Sequence, residues 1–253
     1  MLQALEKNPR FSPRRGPVVL AILDGVGFGK YADGDAVKLA NTPVLDELMK
    51  NNPCTKLKAH GTAVGMPSDA DMGNSEVGHN AIGSGRVFSQ GAKLVGEAVS
   101  SGKLFEGAVW KKLIANVLEK NSALHLIGLV SDGNVHSHID HLYAMLDAAS
   151  AAGVKTVRVH ALLDGRDVPE TSALEYIKPL EEKLAALSVN GKDYAIASGG
   201  GRMVITMDRY GANWDMVRRG WEVHVHGKGE MFNSASEAIE SLRKSTGAID
   251  QDL

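Results

Sequence analysis

Apolar and polar positions alternate along most of the chain between short solid runs and longer amphipathic stretches. Residues 17–23, Pro-Val-Val-Leu-Ala-Ile-Leu, are apolar throughout and include three β-branched side chains. That is the pattern of a strand buried on both faces of a parallel sheet. Residues 41–51 read as a helix, with Asn41 or Thr42 as its cap and Pro43 in its first turn. Residues 55–59 read as a short strand, and residues 76–82 are able to start a helix. Helical periodicity returns at 92–99 and 108–120. From Ala123 the alternation becomes regular: strand 123–130, helix 139–152, strand 154–163, helix 172–187, strand 194–197, then helices 213–219 and 234–245. This order predicts an α/β fold, a parallel sheet with helices on both faces. No internal repeat, low-complexity tract or coiled-coil heptad interrupts it. The boundary falls near Ser89–Gly91, giving a tail (1–16), a first segment (17–89) and a second segment (90–253).

Composition narrows the class. With 253 residues and 43% hydrophobic side chains, the chain is long enough to bury a core in one large or two modest domains. Its net charge of -2 gives no general surface for nucleic acid or membrane. No apolar run reaches the length of a membrane span. Arg14-Arg15 precede an apolar stretch too short for a signal peptide, and Asp24 stands where a cleavage site would lie. The expected setting is cytoplasmic, and the single Cys54 fits a reducing compartment.

The chemistry concentrates in residues 61–86. Glycines 61, 65, 73, 78, 83 and 85 alternate there with Asp69, Asp71, Asn74, Ser75, Glu76, His79 and Arg86. Glycine serves where backbone turns with positive φ or approaches a ligand closely. If 76–82 is helical, Ser75 sits at its N-terminus, where free N–H groups and the helix dipole favour an anion. A hydroxyl there is placed to accept a phosphoryl group. The plainer alternative is a glycine-rich corner with a serine cap. The stretch is neither a hydrolase elbow, since Gly73-Asn-Ser-Glu-Val77 lacks the second glycine, nor a P-loop, since no Gly-Lys-Ser/Thr occurs in it.

Further polar groups gather at strand ends. The strand at 123–130 runs into Ser131-Asp-Gly-Asn-Val-His-Ser-His138, that at 154–163 into Asp164-Gly-Arg-Asp167, and that at 194–197 into Ser198-Gly-Gly-Gly-Arg202 with Arg209 beyond. Parallel sheets bind ligands at the carboxyl ends of their strands. Arg166, Arg202 and Arg209 with His136 suit a small molecule bearing phosphate and carboxylate, because guanidinium forks match both groups. Taken singly, each arginine is equally a surface ion pair. Asp24, at the end of the first strand, is placed for a metal, or simply turns the chain before Gly25. His136, His138 and His141 lack a cysteine partner for a zinc reading, and the last two open a helix. His160 reads as a core residue. His224 and His226 would share one face if 222–226 were a strand, and carry no assigned role.

The run Met72-Gly-Asn-Ser-Glu-Val-Gly-His79, with Asn80–Arg86 after it, resembles the nucleophile motif of the cofactor-independent phosphoglycerate mutases, part of the alkaline-phosphatase-like superfamily. The likeness extends at intervals from Pro17 to Phe232, and in 198–210 and 214–221 it looks most like plant and trypanosomatid members. The resemblance implies a partial phosphatase-like domain followed by an α/β transferase domain. It implies interconversion of 2- and 3-phosphoglycerate in glycolysis through a phosphoserine at Ser75, without 2,3-bisphosphoglycerate. It implies two divalent cations, Mn²⁺ foremost with Mg²⁺ or Co²⁺ as alternatives, and places Asp24 and Ser75 among their ligands. His136, Arg166, Asp167, Arg202 and Arg209 fall on substrate-binding positions. The expected partner is phosphoglycerate, with no nucleic acid or membrane, and a monomer. The chain departs from the family in lacking a later aspartate and histidine ligand set after residue 210, so an N-terminal portion of the enzyme is expected. A metal-dependent phosphatase, another phosphomutase, or a non-catalytic phosphoglycerate-binding fragment are the alternatives.

Overall fold

The computed structural model describes residues 6–12, 15–206, 211 and 213–253. It divides into two compact units, Met1–Leu57 and Lys58–Leu253.

The first unit holds helices α1 (Ala36–Leu39) and α2 (Pro43–Asn51). Thr42 occupies the cap position of α2 and Pro43 its first turn, as the sequence predicts. The predicted strand at 17–23 is absent: the described residues there form no ladder, and Val18 and Val19 are 87% and 84% exposed. A strand exists only as one member of a pair, because its N–H and C=O groups need a neighbouring backbone. Among its described residues the unit offers none, so the apolar run stays unpaired and uncovered. Residues 55–59 form no strand either. Asp24 therefore does not stand at a strand end; it is exposed, in a turn closed by Val26 N–H donating to the Leu23 carbonyl at 3.3 Å.

The second unit runs α3 (Ser75–Ser84), α4 (Gly91–Ser100), α5 (Lys103–Glu106), α6 (Ala108–Lys120), β1 (Ala123–Leu129), α7 (Ile139–Ala151), β2 (Thr156–Leu163), α8 (Ala173–Leu187), β3 (Asp193–Gly201), α9 (Arg202–Ile205), α10 (Trp214–His226) and α11 (Ala235–Thr246). The three strands pair in parallel in the order β1-β2-β3, with Leu126, Val159 and Ile196 in register. Val157, Val159, Ala161 and Leu163 of β2 turn one face of the sheet to a core that includes Leu146 and Ala149 of α7, Ile177, Leu180 and Leu184 of α8, and Ile239 of α11. Each such side chain contributes roughly 1.5–3 kcal/mol by leaving water. The other face of β2 carries Arg158, His160 and Leu162. Here α10 approaches, through His224.

Two elements are longer than their patterns suggest. β3 continues through Gly199, Gly200 and Gly201, which pair with Ala161, Leu162 and Leu163. Glycine has little strand preference, so the sequence reads as a loop what the neighbouring strand holds straight. α10 runs on to His226, so the Val-His-Val-His alternation is helical. Five residues of alternation fit either period, and Gly227, in left-handed backbone, ends the helix only afterwards. The last residues are pinned in place. Buried Asp250 accepts Ala173 N–H at 2.8 Å at the start of α8 and Arg243 Nε at 2.9 Å, while Gly201 N–H donates to the Leu253 carbonyl at 2.6 Å.

Leu146 is fully buried whereas Val225 is 56% exposed. Leu146→Ala is expected to cost about 2–5 kcal/mol, against a change within about 0.5 kcal/mol for Val225→Ala, both read from chemical denaturation. Equal effects would show that the core does not lie between α7 and the sheet.

Candidate active site

The glycine-rich stretch places Ser75 at the first residue of α3, one position inside the cap. The cap is Asn74, whose side-chain oxygen accepts Val77 N–H at 3.0 Å. Capping thus falls to the asparagine, and the Ser75 hydroxyl stands in the first turn with the helix dipole behind it. One turn on, His79 Nδ1 lies 2.7 Å from the Ser75 carbonyl and 3.2 Å from the Ser75 hydroxyl. The shorter contact is to an atom that only accepts, so the proton belongs on Nδ1. That nitrogen is then a donor toward Ser75 and not a base for it.

The loop before α3 is held by its own aspartates. Asp69 accepts Thr62 N–H at 3.0 Å and its hydroxyl at 2.5 Å. One oxygen of Asp71 accepts the Ser68 amide and hydroxyl, each at 2.7 Å. Its other oxygen accepts Asn134 Nδ2 at 2.6 Å. Burial opposes the charge on Asp71, but the bonds from Asn134 and Ser68 outweigh it and hold the carboxyl below its usual range. Gly73 passes so close to Ala59 that a Cβ would lie 2.2 Å from its carbonyl oxygen, so no other residue fits there.

The Asp71–Asn134 bond joins this loop to the cluster at the strand ends, because Asn134 belongs to the turn that follows β1. The centre of that cluster is Asp164, buried immediately after β2. It accepts the Ser131 hydroxyl at 2.5 Å, Arg202 Nη1 at 2.8 Å and Asp167 N–H at 3.0 Å. Burial pushes its carboxyl up, and these bonds together with the Arg166 amide more than reverse that, leaving it lowered. A carboxyl lowered in the fold adds stability above its unfolded value, near 4, and that stability is lost as pH falls through the folded value.

Arg202 opens α9 and is 1% exposed. The same Nη1 that meets Asp164 also meets Asp167 at 2.9 Å. Its Nε is buried and has no hydrogen-bond partner among the described residues. Asp167 in turn lies 3.8 Å from His136 Nε2, and His136 is about half exposed. Arg166 is exposed and lines an open concavity of about 420 Å³ with Glu170, Met203 and Gln251.

His136, Asp167 and Arg202 are thus brought together, with Arg166 beside them in the same turn. Arg209 lies outside the described residues, and Asp24 belongs to the other unit. Among the described residues no three His, Cys, Asp or Glu side chains gather in a way that could hold an ion. Asp24 and Ser75 therefore do not amount to a metal centre by themselves. His138 caps α7, accepting Asp140 N–H at 3.2 Å, as an ordinary helix-opening histidine does. Sequence reasoning passed over Asp164 and Ser131, which organise the cluster, and Asn134, which ties it to the Ser75 loop. The signal for Asp164 was present, since it follows directly on the apolar run of β2; for Asn134 there was none.

No helix among the described residues is long and apolar enough to cross a membrane. A family model described as the N-terminus of BPG-independent PGAM matches residues 95–253. The chain is 53% identical over 252 residues to a probable 2,3-bisphosphoglycerate-independent phosphoglycerate mutase of Leptospira interrogans, covering 98% of this chain and 46% of the relative. It is 51% identical over 239 residues to the mutase of that description in Trypanosoma brucei brucei, covering 94% and 43%. The solved structure of Leishmania mexicana phosphoglycerate mutase at low cobalt concentration superposes with a TM-score of 0.83 at 49% identity, covering 91% of this chain and 42% of that one. The chain spans a little under half the length of these relatives. With a matching family model over most of its length and the Ser75 loop tied to the strand-end cluster, the chain belongs to the 2,3-bisphosphoglycerate-independent phosphoglycerate mutase family, in its N-terminal portion.

Proposed function

We propose that this chain supplies the nucleophile and a phosphoglycerate-binding surface for interconversion of 2- and 3-phosphoglycerate, a step of glycolysis, through a phosphoserine at Ser75. The observation that carries the reading is the Asp71–Asn134 bond of 2.6 Å. It links the loop before Ser75 to the turn that bears His136, so a nucleophile and a set of anion-binding groups belong to one unit. In this reading Ser75 takes the phosphoryl group, at a helix start that favours its charge. Arg166 and His136, both exposed, hold the glycerate end while it reorients. Asp167 orients a substrate hydroxyl or serves as general base. Arg202 acts through the two aspartates it holds. Arg209 joins the proposal from its motif alone.

A pair of divalent cations belongs to the proposal, Mn²⁺ first and Mg²⁺ or Co²⁺ as alternatives, with Asp24 and Ser75 as this chain's share of ligands. Such ions neutralise phosphate charge and activate a nucleophile. Since Asp24 and Ser75 make no centre by themselves, no step is derived through the ions. The remaining parts of the reading are a cytoplasmic monomer with a small-molecule substrate, acting on neither nucleic acid nor membrane. The second reading is a phosphoglycerate-binding segment without turnover.

The two readings separate in assay. Joined to the second half of the Leptospira relative, this chain is expected to convert 3- to 2-phosphoglycerate, and Ser75→Ala to reduce that to background. A phosphoenzyme surviving in the Ser75→Ala form would sink the phosphoserine. By itself the chain is expected to bind 3-phosphoglycerate in calorimetry but not isomerise it with Mn²⁺ or Mg²⁺. Turnover in the usual range of roughly 1–1,000 per second would mean that a complete site exists within these 253 residues.

The arginines are expected to divide. Arg166→Ala removes charged hydrogen bonds of about 1.5–3 kcal/mol and weakens 3-phosphoglycerate binding without changing thermal stability. Arg202→Ala leaves two aspartates uncompensated and is expected to destabilise the fold by about 3–5 kcal/mol. Unchanged melting in Arg202→Ala would show that the buried pair does not organise the strand ends.

A further inference from the structure

On the face of the sheet away from the main core, three histidines and a serine form one hydrogen-bonded chain. His125 Nδ1 of β1 lies 2.9 Å from His160 Nε2 of β2. His160 Nδ1 lies 2.6 Å from the Ser198 hydroxyl of β3, which lies 2.7 Å from His224 Nδ1 of α10. The rings of His125 and His160 stack at 5.2 Å, and those of His160 and His224 meet edge to face at 5.4 Å. His160 is 7% exposed. A bulge makes the arrangement possible. The register of β2 and β3 passes from Val159 opposite Ile196 to His160 opposite Ser198, so Ala197 is an extra residue. Without it, Ser198 would keep the face of Tyr194 and Ile196, toward the core.

The chain has a preferred direction. His224 Nε2 is buried without a hydrogen-bond partner among the described residues. A bare acceptor there is less costly than an unpaired N–H. His224 therefore donates from Nδ1 to Ser198, Ser198 donates to His160 Nδ1, and His160 Nε2 donates to His125. His125 is exposed. In this arrangement the buried acceptor left over is His224 Nε2.

Among the described residues no carboxylate is ion-paired with these histidines. From β1 the facing titratable group is His125, and from β3 the facing groups are the Ser198 hydroxyl and Asp193. On β2, Arg158 is paired with Asp193. On α10, Glu222 is ion-paired with Lys228 at 2.7 Å, and His226 accepts Trp221 Nε1 at 3.1 Å. Burial first, then the neighbouring histidines His224 and His125, hold His160 below its usual range. Burial does the same for His224.

We propose that His125, His160, Ser198 and His224 form an acid-released latch that fastens α10 to the sheet. The unfolded or undocked histidines take up protons below about 6.5, while docked His160 and His224 are held below that value. Docking is therefore fully stabilised above that pH and weakens as pH falls below it. Release reaches the strand ends through Gly220 of α10. A Cβ there would lie 1.9 Å from the Ile205 carbonyl of α9, and α9 begins with Arg202.

Hydrogen exchange of the whole chain, read by mass spectrometry and corrected for intrinsic rates, tests this between pH 7.5 and 5. Protection of peptides within α10 is expected to fall at least tenfold, while α8 changes little. Loss in both helices together would mean global unfolding and overturn the latch. In the unaltered chain, ¹⁵N spectra of the histidines are expected to show His160 and His224 taking up protons only as α10 loses protection. Titration of both rings with α10 still protected would also overturn it. His224→Asn keeps a hydrogen-bond partner for Ser198 without a titrating ring and is expected to reduce the pH response of α10. An unchanged response in a folded His224→Asn chain would contradict the proposal.

Discussion

One guanidinium holds the three strand ends together. Arg202, at the end of β3, is buried with Nη1 on both Asp164 and Asp167, which follow β2, and Asp164 in turn holds Ser131 after β1. A buried charge is tolerated only when it is paired and hydrogen-bonded. The pair therefore sets the spacing of the loops as much as it stabilises them. Asp167 and Arg166 belong to one short turn, so fixing the first presents the second outward toward the concavity. Fixing Asp167 also settles what His136 approaches. The exposed Arg166 and His136 thus depend for their placing on a buried pair.

The Ser75 loop is attached to this frame by the side-chain bond from Asn134 to Asp71, and within the loop Asp69 and Asp71 supply local support. The first unit is different in kind. Its apolar run, with Val18 and Val19 largely exposed, has the composition of a buried strand and no partner within its unit. An uncovered apolar edge of this sort favours association. Val18 to Leu23 are thus the part of the described chain whose sequence and setting disagree most.

The opposite face of the sheet shows how much one residue of register matters. Ala197 as a bulge carries Ser198 from the core face to the histidine face. His160 was expected to be a core residue; it is buried, but on the face away from the main core, and its partners are His125 and Ser198. Those partners, with His224, lie on three different elements, and nothing in their local sequences links them.

The sequence by itself determined the regular part of the second unit. Apolar period and β-branched content placed β1, β2, α6, α7, α8 and α11 within a residue or two, because each buries one face against its neighbours and so must repeat in step with its own geometry. The glycine-rich run located Ser75, since its spacing of glycine and polar residues suits no packed element. Tertiary structure alone decided the rest. Residues 17–23 are not a strand because pairing requires a partner backbone. The glycines of β3 are a strand because β2 holds them. Arg202 is buried because two aspartates from another turn meet it. Gly73 is held to a bare backbone because Ala59, distant in sequence, passes beside it. Each of these outcomes depends on groups distant in sequence, and a local pattern carries no record of which distant groups will meet.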